Sequence, residues 1–153
     1  MRIDEVTPAT LPLLEQGLRA LADDLGDAYA LTSGALRAGL FGPRPACRGL
    51  VAADGDAVGG VVLFSPLMST SLGGPGAYVS DLWVSAARRG TGLGRALLAE
   101  VARHGGARFL RVAVYDDSPG AARFYARLGF APKPGEGMLF MTGTALDALR
   151  EER

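Results

Sequence analysis

The segment Arg88-Arg89-Gly90-Thr91-Gly92-Leu93-Gly94-Arg95 holds three glycines and three arginines in eight positions. It follows a predicted strand and opens a predicted helix. The first N–H groups of a helix have no intrahelical partner, and the helix dipole is positive there. Glycine lets such a backbone approach a ligand closely, so the segment suits a phosphate or pyrophosphate. A Walker loop needs Lys-Ser/Thr after its last glycine, whereas Arg95-Ala96 follows Gly94. A dinucleotide G-x-G-x-x-G needs a third glycine at position 95 or 97, and these are Arg95 and Leu97. What fits is Arg-x-x-Gly-x-Gly, from Arg89 to Gly94. The competing reading is a glycine-rich strand-to-helix turn with no ligand.

The elements that must position this loop are legible from periodicity. Leu11, Leu14, Leu18, Leu21 and Leu25 recur at spacings of three and four, an amphipathic helix, with Thr10 as its expected cap and Asp23, Asp24 and Asp27 at its acidic exit. Thr32 or Ser33 caps a short second helix that ends at Gly42-Pro43. Residues 50–53 and 58–64 around Asp54-Gly55 read as a β-hairpin. Ser65 to Gly76 reads as a loop from its Ser, Gly and Pro content. A strand follows over 78–84, a helix over 92–104 and a buried strand over 109–114. Pro119 then opens a helix capped by Ser118 and stopped by Gly129. Phe130 and Met138 to Thr142 are expected as final strands, before a short helix from Ala145. Strand-helix-strand over 78–114 implies a parallel pair, and the hairpin implies antiparallel pairing before it. The expected class is α/β or α+β, a single domain over 1–153 with a mixed central sheet and flanking helices.

The glycine loop resembles the pyrophosphate loop of the GNAT superfamily, the acetyl-coenzyme-A-dependent N-acetyltransferases. Upstream, Tyr78-Val79-Ser80-Asp81-Leu82-Trp83-Val84 resembles the central strand of that family. Downstream, Ala121-Ala122-Arg123-Phe124-Tyr125-Ala126-Arg127-Leu128-Gly129-Phe130 resembles its A-x-x-x-Y-x-x-x-G-F segment. The motifs cover residues 78–130, and the rest looks most like the diamine (spermidine/spermine) N-acetyltransferase branch. The resemblance implies transfer of an acetyl group from a thioester to an amine, with acetyl-coenzyme A as co-substrate and no metal. It implies cofactor contacts from Leu82, Trp83 and Val84 of the strand, from Arg89, Gly90, Thr91, Gly92, Leu93, Gly94 and Arg95 of the loop, and from Ser118, Ala121 and Phe124. Ser118 stands where relatives often carry asparagine, and a helix N-cap alone also accounts for it.

Such a transfer has three tasks. The amine must lose a proton, since an alkylammonium with a pKa near ~10 is no nucleophile. The developing oxyanion needs an aimed donor, which backbone N–H groups at Leu82 to Val84 would supply. The departing thiolate, intrinsically near ~8.5 by analogy with cysteine, benefits from a proton. By its position in the motif Tyr125 is the candidate acid, and packing on an apolar helix face is its competing role. The base departs from the related branch, whose strand carries Glu-Asp where this chain has Ser80-Asp81. Ser80 holds a water at most. Asp81 is a carboxylate, yet neighbours in a regular strand face opposite ways, which would separate the two. A base working through water, from Asp81 or from an acid near Asp23, Asp24 or Asp27, stays open.

Composition bounds the alternatives. Lys+Arg and Asp+Glu are both 16, a formal net charge of zero, which argues against a nucleic-acid binder working by bulk charge. One cysteine, Cys47, excludes an internal disulfide or Cys-cluster metal site, and one histidine, His104, excludes a multi-His zinc site. No apolar run approaches the roughly 18–20 residues of a membrane span, and a soluble cytoplasmic protein is expected. The leading acceptor is the primary amine of a small molecule, polyamine or amino-acid-like. A protein or peptide N-terminus, and a coenzyme-A-binding module without catalysis, are the alternatives. Relatives are often homodimers, so a homodimer is the assembly to test.

Overall fold

The structure, a computed structural model, describes residues 1–152. The chain divides into two compact units, residues 1–115 and 116–153. In the first, β1 (Arg2–Glu5) is followed by α1 (Leu11–Leu25), α2 (Ser33–Phe41), β2 (Arg48–Asp54), β3 (Ala57–Ser69), β4 (Gly74–Val84), α3 (Leu93–Arg103) and β5 (Leu110–Val112). The second holds α4 (Pro119–Leu128) and α5 (Gly143–Glu151).

The five strands lie in the order β1-β2-β3-β4-β5, antiparallel except for the parallel β4–β5 pair. This is the expected α/β fold with a mixed sheet. The β2–β3 hairpin closes through Gly55-Asp56, with Gly55 at φ 58°, as a two-residue turn with glycine first requires. The Ser65–Gly76 stretch differs from expectation. It is an extension of the β3–β4 ribbon to Ser69 and Gly74 around a short turn. Its polar composition reflects exposure, with Met68 75% accessible, and not a lack of strand. Conversely, Phe130 and Met138–Thr142 form no strand, and Leu139 and Phe140 of the second run stand exposed.

Two apolar faces hold the sheet. On one, Leu11, Leu14 and Leu18 of α1 and Leu36 of α2 pack with Val6, Val51, Val61 and Leu63. Full burial of each such leucine stabilises by about 1.5–3 kcal/mol. On the other, Leu97 and Leu93 of α3 close over Gly60 of β3, and Phe64 meets the His104 ring. Thr32 caps α2 by accepting from the Ala35 N–H at 3.1 Å. Thr10 makes no such cap on α1, and its hydroxyl instead bonds with Thr7.

Gly17 of α1 lies directly against the sheet, where an added Cβ would stand 2.5 and 2.6 Å from the two Val61 methyls. Gly17→Ala should therefore lower stability by about 1–3 kcal/mol from overpacking. This would outweigh the roughly 1 kcal/mol that alanine adds in a helix interior. Urea unfolding measures the outcome, and a raised midpoint would show that α1 has room to shift.

Candidate active site

Strand β4 is irregular where the chemistry is expected. Leu63 pairs with Asp81 and Phe64 with Val79, so Ser80 is an extra residue with no partner on β3. This is a β-bulge, which breaks the alternation of side chains. Paired residues share a face. Val79 therefore goes with Phe64 to the α3 side, and Asp81 goes with Leu63 to the α1–α2 side. The bulge also marks where β4 leaves β5, since their pairing covers only Ala77, Val79 and the residue between. From Ser80 to Val84 the strand keeps β3 on one edge and, among the described residues, has no strand on the other.

The Asp81 carboxyl is half-buried, and burial raises its pKa above the usual 3.8, with the Ser80 hydroxyl acting in the opposite sense. That hydroxyl donates to the Leu63 carbonyl at 3.2 Å. Ser80 is thus a bulge residue whose proton is already engaged. Around Asp81 lie groups that the sequence did not bring together. Burial pushes up the Tyr29 phenol, and Glu15 and Asp81 add to the rise against an opposing Arg19. Burial and then Asp81 push up the Cys47 thiol. The Arg19 guanidinium sits 4.4 Å from the centre of the Tyr29 ring. Glu15 Oε1 and Tyr29 Oη are buried with no hydrogen-bond partner among the described residues. In sequence these two are merely a helix position and a linker residue, and no pattern flags them.

The glycine loop has the geometry its composition suggests. A 3-10 turn over Ala86–Arg88 leads into it, and Gly90 and Gly92 take φ of 76° and 86°. Those left-handed angles cost other residues about 1–2 kcal/mol. Nothing lies within 4 Å of a Cβ placed at either glycine, so the loop leaves open space there. Gly92 caps α3 without a side chain. Ala96 N–H bonds the Gly92 carbonyl, while the N–H groups of Leu93, Gly94 and Arg95 have no partner among the described residues. The Thr91 hydroxyl is turned back to the Arg88 carbonyl at 2.6 Å. Leu93 and Gly94 are buried and the Arg95 side chain is exposed.

The Arg89 side chain points back into the protein. Its Nε donates to the Val84 carbonyl at 3.0 Å and its Nη2 to Asp24 Oδ2 at 2.7 Å. The same carboxylate oxygen accepts from Trp83 Nε1 at 3.0 Å. Asp27 accepts from the Tyr115 hydroxyl at 2.7 Å. Two members of the acidic exit of α1 are therefore engaged internally. The Arg89–Asp24 pair is about half exposed on both sides, so its direct contribution to stability is small, about 0.2–1 kcal/mol.

The remaining candidates form a group of their own in the second unit. The Ser118 hydroxyl makes no capping bond, although its carbonyl accepts from Ala122 N–H at 3.1 Å. Ala121 is exposed, and Phe124 and Tyr125 are half-buried. The Tyr125 ring contacts Phe124 and Phe130 edge-on, with centroids 5.2 and 5.3 Å away. Burial raises its phenol pKa, which keeps it protonated as an acid must be. Gly129, at φ 99°, ends α4 and turns Phe130 back.

Comparison with known proteins agrees with this geometry. The model of the acetyltransferase (GNAT) family matches residues 18–130, which include the bulge, the glycine loop and Tyr125. No curated protein matches the chain. Among solved structures it is similar to an integron cassette protein from the mobile metagenome of V. cholerae, at 23% identity and a TM-score of 0.77, over 99% of this chain and 98% of that one. It is similar to an aminoglycoside acetyltransferase from an uncultured soil metagenomic sample, at 18% and 0.76, over 94% and 96%. It also resembles a ribosomal-protein-alanine N-acetyltransferase from Brucella melitensis biovar Abortus 2308, at 18% and 0.70, over 92% and 100%. At these identities the structural likeness speaks for the fold.

The raised Asp81 pKa has a thermodynamic signature. Above 3.8 the unfolded chain releases this proton while the folded protein still holds it. Stability must then fall as pH rises from about 3.8 through the folded value. Asp81→Asn removes that component. Urea unfolding of both proteins across acidic pH should show the variant gaining on the parent as pH rises through this window. A difference independent of pH would mean that Asp81 is not desolvated.

Proposed function

The chain belongs to the acetyltransferase (GNAT) family, and we propose that it moves the acetyl group of acetyl-coenzyme A to the primary amine of a small cationic molecule, polyamine or amino-acid-like. Residues 1–153 act in this reading as one N-acetyltransferase domain. The observation that carries it is the bulge at Ser80, which places a desolvated carboxylate on the α1–α2 face beside an unpaired strand edge.

The residues present fit coenzyme A. The free N–H groups of Leu93, Gly94 and Arg95, at the positive end of α3, are suited to its pyrophosphate. The open edge of Leu82, Trp83 and Val84 offers alternate backbone groups to the amides of its pantetheine arm, as an added strand would. The thioester supplies an activated acyl group. An N–H group on the same edge would donate to the thioester's carbonyl oxygen, where negative charge develops as the amine adds. Asp81 takes the proton of the acceptor ammonium, and its raised pKa makes it a stronger base than an exposed aspartate. By its place in the family motif, Tyr125 gives a proton to the departing thiolate. Ser80 positions Asp81 through the bulge and takes no proton. Ser118, Ala121 and Phe124 flank the cofactor by the same motif argument, and the Gly90–Gly92 turn keeps its path clear.

A cationic acceptor is favoured by two carboxylates, Glu15 and Asp81, around the half-buried Tyr29. This is the feature that supports the diamine branch. The reading includes a cytoplasmic setting, which suits the free thiol of Cys47. No helix among the described residues is long and apolar enough to cross a membrane. It also includes a homodimer, which sedimentation would detect.

Thiol release from acetyl-coenzyme A should be measured over polyamines, amino acids, aminoglycosides and short peptides. Turnover is expected with small cationic amines, and Tyr125→Phe and Asp81→Asn should each lower kcat by about 10²–10⁴-fold. Preference for peptides would move the reading to protein N-acetylation. Coenzyme A binding without turnover on any amine would make the chain a binding module.

Gly92→Ala tests the loop separately. The strained backbone at φ 86° should cost about 1–2 kcal/mol and weaken coenzyme A binding about tenfold, with the acceptor KM unchanged. Unchanged coenzyme A affinity would place the phosphates elsewhere.

A further inference from the structure

Three elements meet on one carboxylate. Asp24 belongs to the last turn of α1, Trp83 to the end of β4, and Arg89 is the first residue of the glycine loop. Asp24 Oδ2 accepts from the Trp83 indole at 3.0 Å and from Arg89 Nη2 at 2.7 Å. Arg89 Nε closes the arrangement on the Val84 carbonyl at 3.0 Å. The guanidinium is therefore held on two sides, by a carboxylate from the acceptor-facing helix and by the backbone of the cofactor-facing strand. Arginine's planar fork suits this bridging role, which a lysine ammonium on a flexible stem does not reproduce.

We propose that Asp24 is a positioning residue for the cofactor loop. It fixes Arg89 and thereby fixes the direction in which Gly90–Gly94 leaves β4. The N–H groups of Leu93, Gly94 and Arg95 stay aimed as a set, with no side-chain cap to do this for them. The inference rests on the coenzyme A reading above, and it assigns a task to an acidic residue that touches neither the cofactor nor the acceptor.

The proposal fixes a sign. On charge alone, a carboxylate next to a pyrophosphate site repels the ligand, so Asp24→Asn would tighten coenzyme A binding. Positioning requires the opposite. Calorimetric titration of coenzyme A, with quenching of the single tryptophan Trp83 as a second readout, decides between them. Asp24→Asn should raise Kd at least fivefold. It should also raise KM for acetyl-coenzyme A while kcat stays within about twofold, with an unchanged circular dichroism spectrum. A general loss of structure would lower kcat as well. Arg89→Lys keeps the charge but loses the bridge, so it should weaken binding to a similar degree and stands in if Asp24→Asn folds poorly. The Asp24→Asn, Arg89→Gln double variant should bind no worse than Arg89→Gln alone.

Equal or tighter binding by Asp24→Asn, or additive losses in the double variant, would overturn the proposal and leave the coenzyme A reading standing. Failure of the parent protein to bind coenzyme A would overturn both.

Discussion

A strand in this sheet cannot carry a side chain to each face at will. Its alternation is fixed by the pleat, and one extra residue is what resets it. Ser80 is that residue. Were Ser80 paired in regular register, Val79 and Asp81 would share a face, and a carboxylate so placed would sit in the apolar layer under α3. With Ser80 bulged out of register, Val79 stays in that layer and Asp81 turns to the side of α1 and α2. The same irregularity coincides with the end of β4–β5 pairing. A proton acceptor and an unpaired backbone edge thus arise from a single departure from regular strand geometry, and neither requires an unusual side chain.

The glycine loop obeys a related logic. The anion-binding role proposed for it rests on backbone groups left over by a helix start, so the side chains around it are free for other tasks. Thr91 bonds within the loop, Arg89 turns inward, and Leu93 joins the core. The loop is built from conformation, and the arginine that heads it is held from the far side of the sheet by a carboxylate of α1.

Much of this was legible in the sequence. The leucine spacing of α1, the Gly55 turn, the β4-loop-α3 unit and the Pro119–Gly129 helix all follow from local pattern, because local pattern determines them. The glycines at 90 and 92 were readable as an open strand-to-helix turn, since glycine takes the left-handed angles found there without strain. The bulge was not readable. Whether Ser80 is counted in or out of register depends on β3, seventeen residues away at Leu63, and no property of Ser80 itself reports that. Glu15, Tyr29 and Cys47 were hidden for the same reason, since only tertiary packing brings Tyr29 and Cys47 near Asp81 and Glu15 near Tyr29. Ser65–Gly76 misled because exposure, not lack of strand, selected its polar and small residues. At Met138–Thr142 strand-like composition was present, but composition supplies no partner strand.

The bulge has a consequence for how such a chain tolerates change. The facing of Asp81 is set by a count of residues between two paired positions, so it behaves like a reading frame. Many substitutions at position 80 leave the count intact. Loss of Ser80, the unpaired residue, leaves the pairs on either side in register, whereas an insertion between Asp81 and Trp83 shifts everything downstream by one. The Trp83 indole would then point into the α3 layer, and its link to Asp24 would be lost. Along this stretch of β4, position 80 is therefore open to changes of residue type, while the run from Asp81 to Trp83 is closed to insertion.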